Sequence, residues 1–140
     1  MSLSWIIYAL LSAVFAALVA IFSKIGLKNV DTNLATAIRA AVMFSFLLLV
    51  ILFQKKFGLI TSLNGKEYIY IILAGIAGAL SWLCYFLALR IGEATKVASL
   101  DRLSVVFVLV FALLFLGEKF TFKIVGGVAL IVAGAILMVI

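Results

Sequence analysis

The sequence predicts an all-α, polytopic membrane protein, a bundle of five transmembrane helices, and three observations predict it. Hydrophobic residues make up 69% of the 140 residues against 11% charged, and the mean hydropathy is +1.46. A soluble domain of that composition would have to expose apolar surface it has no means of covering. The apolar residues fall into five runs, and most Lys, Arg, Asp and Glu lie between them. Each run has about the 20 residues an α-helix needs to cross roughly 30 Å of hydrocarbon. Little chain is left over, so residues 1–140 read as a single membrane domain.

Composition also narrows the chemistry. There is no His, hence no Ser-His-Asp triad and no His-ligated metal. The one cysteine, Cys84, sits inside an apolar run, where a small packing role suits it and no intrachain disulfide is open to it. No phosphate-binding loop pattern occurs, so nothing points to an ATP-driven machine, an enzyme or a resident cofactor. The net charge of +6 comes mostly from loop residues rather than from one basic face. Its partner is therefore the lipid bilayer and not nucleic acid.

The first span is expected at Leu3–Phe22. No basic residue precedes it and it exceeds the apolar core of a signal peptide. Ala9, Ala13, Ala16, Ala17 and Ala20 recur at helical spacing, a stripe that permits close helix approach. Trp5 and Tyr8 suit the headgroup level. Asp31, Thr32 and Asn33 are cap-forming residues ahead of the second span, Leu34–Phe53. That span holds Arg39, about 7 Å deep. Either Arg39 snorkels to the interface or it faces the bundle interior.

Gln54–Lys66 mixes Lys with Phe57, Leu59 and Leu63, as a segment lying on the membrane surface does. Asn64 and Glu67 have capping-box spacing ahead of the third span, Tyr68–Leu89. This span carries no charge, and Ala74, Gly75, Gly78 and Ala79 are its small residues. Trp82 and Tyr85 share a helix face, and Trp82 lies about 10 Å inside the end. With Ser81 they are candidates to line a partly wet substrate cavity, the alternative being an interfacial aromatic belt.

Gly92 ends the third helix within a turn over Arg90–Lys96. The fourth span is expected at Val97–Leu116, with Asp101 and Arg102 inside it. A carboxylate in the first turns gains from the helix dipole, so a structural role for Asp101 competes with a functional one. Gly117, Glu118 and Lys119 form a hinge. The fifth span runs from Thr121, an N-cap candidate, to Ile140, with Gly126, Gly127, Ala133 and Gly134 on its small face.

Alternating the five runs across the bilayer, with the N-terminus on side A, puts Arg39, Asp101 and Arg102 about 6 to 8 Å inside side B. Trp82 and Tyr85 fall about 6 to 10 Å inside the same side. Residues from three helices therefore meet in one layer. Loop charge is nearly balanced: Lys55, Lys56, Lys66, Lys119 and Lys123 on side A, and Lys24, Lys28, Arg90, Lys96 and Arg102 on side B. A positive-inside bias then sets almost no orientation. Because an odd number of spans separates the termini, a lone domain of this kind can build an inverted repeat only as an antiparallel homodimer inserted both ways.

The same stretches carry a family likeness. Arg39, the run Trp82-Leu83-Cys84-Tyr85-Phe86-Leu87-Ala88-Leu89, Asp101-Arg102-Leu103-Ser104, and Phe115-Leu116-Gly117-Glu118-Lys119 with Thr121 resemble an EamA-type domain of the drug/metabolite transporter superfamily. Gly126-Gly127 and Ala133-Gly134 in the fifth span extend the likeness over the whole chain. Many such domains have a Pro in the fourth span, where this chain has none. The resemblance implies a secondary transporter or exporter of small metabolites in the cell's inner (plasma) membrane. With a small-molecule substrate, the layer of residues read from spacing takes its roles: Trp82, Tyr85 and Ser81 at the pocket, and Arg39, Asp101 and Arg102 as gate or ion-coupling residues. Small multidrug resistance relatives use a Glu in the first helix; here only Asp101 lies inside a span. Two other functions remain open: a non-transporting scaffold or partner subunit, and a lipid-headgroup flippase.

Overall fold

The structure is a computed structural model that describes residues 4–140. Six α-helices follow one another: α1 Ser4–Gly26, α2 Thr32–Phe53, α3 Gly65–Ile91, α4 Ala94–Asp101, α5 Ser104–Phe111 and α6 Phe122–Val139. A 3₁₀ helix, Phe57–Ser62, joins α2 to α3, and a π-type turn, Ala112–Leu116, extends α5. Read together, α4, α5 and the π-type turn make one apolar segment, Ala94–Leu116, so five helical segments are long and apolar enough to cross a membrane. Predicted residue Leu3 lies outside the described residues. α2, α3 and α4 each begin two or three residues before the predicted span, because their first turns are polar and an apolar window misses them.

Those polar starts have defined causes. The Asp31 Oδ1 atom accepts hydrogen bonds from the Asn33 and Leu34 amides at 2.9 and 3.0 Å, which satisfies two otherwise orphaned donors of α2. Glu67 Oε2 accepts from the Asn64 amide at 2.9 Å, the back-reaching half of the capping box. The turn before α4 is shorter than expected, only Gly92 and Glu93. Thr121 holds the N-cap position of α6 in extended conformation, without a side-chain cap bond. Its carbonyl accepts from the Ile124 and Val125 amides instead.

Lys55 ends α2 in the left-handed region, with φ 54°. The Lys55 amide donates to the Leu52 carbonyl and the Lys56 amide to Ile51, at 3.0 and 3.2 Å, a Schellman closure built without glycine. Gly117 does the same work after the π-type turn, with φ 64° and ψ 24°, and the Glu118 amide reaches back to Ala112 at 3.3 Å.

The fourth membrane segment is not one helix. At Arg102 and Leu103 the ladder tightens to 3₁₀ bonds: Arg102 donates to Ser99 at 3.2 Å and Leu103 to Leu100 at 2.9 Å. Asp101 is therefore the last residue of α4. The expectation placed it in the first turns of one continuous helix; it is instead the eighth residue of a helix that opens at Ala94.

Contacts divide the chain into two compact units. One comprises α1 up to Lys24 together with Ile91–Ile140; the other is Ile25–Arg90. In the first, α4 packs antiparallel to α6. Ser99 and Ala135 are buried there, and the Lys96 Nζ atom donates to the Val139 carbonyl at 3.3 Å. Lys24 Nζ donates to the Gly92 carbonyl at 2.7 Å and ties the end of α1 to the turn before α4. In the second unit, Leu27, Thr32, Phe86 and Leu89 are buried, all near the start of α2 or the end of α3.

Candidate functional site

A cation and three aromatic rings meet between α2 and α3. The Arg39 guanidinium carbon lies 3.5 Å from the centre of the Trp82 ring, which is van der Waals contact directly over the ring face. It is 5.6 Å from the centre of Phe86. Trp82 in turn meets Tyr85 and Phe86 edge to face, with centroids 5.6 and 5.7 Å apart and planes at 83° and 90°. Helical spacing explains the cluster. Residues 82, 85 and 86 stand at i, i+3 and i+4, so one face of α3 carries all three rings. Phe86 is buried and fixes the cluster from behind, whereas Arg39, Trp82 and Tyr85 are half-buried.

The indole face is electron-rich and attracts a guanidinium, by about 0.5 to 2 kcal/mol depending on desolvation. The stacked group keeps its five N–H donors in the guanidinium plane, at its rim. The cluster therefore offers directed hydrogen-bond donors next to a rigid aromatic wall. Arg39 is also seven residues into α2, and Trp82 nine residues from the end of α3. Both lie more than a helical turn inside the apolar segments. The head of Arg39 rests on the Trp82 ring.

Sequence spacing alone singled out Arg39, Trp82 and Tyr85, and the structure brings these three together. It adds Phe86, whose i+4 relation to Trp82 was the available signal. Ser81, next to Trp82, is exposed. Asp101 and Arg102 belong to the other unit, where both are exposed.

Within that other unit, Arg102 stands where two open grooves adjoin. One, of about 460 Å³, runs between α4 and α6 past Thr95, Ser99, Gly134 and Met138. The second, of similar volume, runs along α5 past Ser104, Val105 and Val108. Ile131 of α6 borders both. Small residues, Ala98 and Ser99 on α4 and Gly134 and Ala135 on α6, keep the first groove free of bulk. The sequence offered the Gly and Ala spacing as a signal but not the groove itself. Gly117 and Glu118 close the fourth segment as described above. Among the described residues, no cluster of His, Cys, Asp and Glu is large enough to hold a metal ion.

Comparison with known proteins adds the family. No solved structure matches the chain. It is 42% identical over 138 residues to a Sinorhizobium sp protein described as an uncharacterized transporter in the cobO 3'region, covering 99% of this chain and 98% of that one. The profile of the EamA-like transporter family matches residues 3–140. A chain of five apolar membrane-length segments, matched almost from end to end by that profile, belongs to the EamA-like transporter family.

Proposed function

We propose that the chain is a secondary transporter or exporter that moves a small metabolite across the cytoplasmic membrane, with residues 1–140 acting as one domain of a homodimer. Trp82, Tyr85 and Ser81 contact the substrate. Arg39, Asp101 and Arg102 form the gate, and Gly117 with Glu118 is the hinge behind it. The observation that carries this reading is the Arg39 guanidinium stacked on Trp82 inside two membrane-length helices. A cation in hydrocarbon is costly, from about 3 kcal/mol upward on insertion scales, and such residues mark substrate and ion pathways. A purely structural helix pair would be equally well served by apolar residues at position 39.

The dimer is antiparallel in this reading. The Sinorhizobium sp protein described as an uncharacterized transporter is matched over 98% of its own length. An inverted pair of such units supplies the two-fold arrangement on which alternating access depends.

The test is uptake into liposomes containing the purified protein, across a panel of radiolabelled metabolites and imposed proton or sodium gradients. The expected outcome is saturable uptake of at least one solute, lowered about tenfold or more by Arg39→Gln at equal protein incorporation. Uptake indistinguishable from empty liposomes across the panel, in both gradient directions, would leave the scaffold reading in its place.

A further inference from the structure

We infer that Arg39, laid flat on Trp82, is the receptor for an anionic group, a carboxylate or a phosphate, on the transported molecule. The inference rests on the transporter reading above and names the chemistry of its substrate. Within the unit Ile25–Arg90, the contacts of the Arg39 guanidinium are with the rings of Trp82 and Phe86. It hydrogen-bonds to none of that unit's described residues. The unit has two carboxylates, and both are committed elsewhere. Asp31 accepts from the amides that open α2, and Glu67 from the amide of Asn64 ahead of α3. The cation therefore has no counter-ion from the described residues of its own unit.

The geometry decides what kind of group supplies one. Stacking occupies the face of the guanidinium and leaves its rim, where N–H donors lie in pairs. A carboxylate or phosphate fits such a pair with two parallel, charge-assisted hydrogen bonds, while a neutral oxygen acceptor makes weaker ones and a cation is repelled. The indole face turned toward Arg39 is covered at 3.5 Å, so from that side the site presents a cation and not a bare ring. Tyr85 and Phe86 hold the indole edge to face, which fixes the platform and hence the direction of the donors. The Asp101→Asn variant below tests an internal carboxylate as the alternative occupant.

Trp82 itself reports binding, because the chain has two tryptophans and Trp5→Phe leaves one. The Trp5→Phe protein is studied in dodecyl maltoside micelles, which carry no phosphate. Inorganic phosphate and succinate are the soluble probes, dioleoylphosphatidylglycerol added to the micelles is the lipid probe, and glucose and choline are the controls. A saturable change in emission with phosphate or succinate assigns a soluble anion; one with phosphatidylglycerol alone assigns a lipid headgroup. Glucose and choline give no change. Arg39→Gln weakens the response by about tenfold or more. Arg39→Lys, which keeps the charge and the capacity to insert, retains a weaker response. Silence toward all three anions, an undiminished response in Arg39→Gln, or a response that appears only after Asp101→Asn overturns the inference. The two readings fail separately. Anion binding without uptake in liposomes removes the transporter reading alone. Uptake of choline or glucose that Arg39→Gln leaves unchanged removes the anion receptor alone.

Discussion

Arg39 is the residue on which the functional argument turns, and its neighbours were only partly legible in the sequence. An arginine in an apolar run is conspicuous, and so are Trp82 and Tyr85 at helical spacing. Their contact was not legible, because depth along a helix says nothing about which face it presents. The 3.5 Å stack settles that between α2 and α3. Asp101 poses the complementary question. It is the exposed last residue of α4, three residues before α5 opens. If Arg39 and Asp101 pair during the transport cycle, Asp101→Asn slows transport and the charge-swapped double variant, Arg39→Asp with Asp101→Arg, regains part of the loss. A double-mutant cycle on initial uptake rates measures the coupling. Additive effects of the two single changes would mean that the residues act independently.

Among the elements, the helix starts were the most legible and the interruptions the least. Asp31 and Glu67 announce α2 and α3 because capping chemistry is local: acceptor and amide lie within three residues of each other. Nothing local announces the 3₁₀ tightening at Arg102 and Leu103. The chain has no proline, and no glycine lies near that position, so the usual signs of a helix break are absent. The chain bends its ladder beside a charged pair instead. The end of α2 was likewise hidden, since a lysine sits where a glycine is favoured. Lys55 at φ 54° bears steric strain of about 1 kcal/mol that glycine would not. Lys55→Gly therefore raises stability by about that amount, read as a higher midpoint of thermal unfolding in detergent. A lowered midpoint would mean that the lysine head makes a compensating contact.

At the scale of the whole molecule, the composition alone foretold where the apolar surface goes. Among the described residues, the buried apolar side chains are Ala20, Leu27, Phe86, Leu89, Ala112 and Ala135. Large side chains such as Phe53, Phe115, Phe122 and Leu130 stand 75% to 97% exposed, as lipid or a second copy requires. The antiparallel dimer makes a direct prediction here. Reporter fusions at the C-terminus, one active only in the cytoplasm and one only outside, should both give signal at comparable levels. Two or three lysines added to one side's loops should shift the balance strongly to one reporter. A single orientation that the added lysines leave unmoved would exclude the dimer with inverted subunits. The unequal lengths of the helices carry a last consequence. α3 has 27 residues and α6 has 18, about 40 Å and 27 Å of helix, around a hydrocarbon thickness of about 30 Å. Upright, α3 overshoots the hydrocarbon and α6 falls slightly short of it. Tilt of the longer helix, or local thinning of the bilayer beside the shorter one, has to absorb the difference. Bilayer thickness thus becomes a mechanical input to the protein: acyl chains a few carbons longer or shorter change the tilt of α3, and with it the angle at which Trp82 carries Arg39.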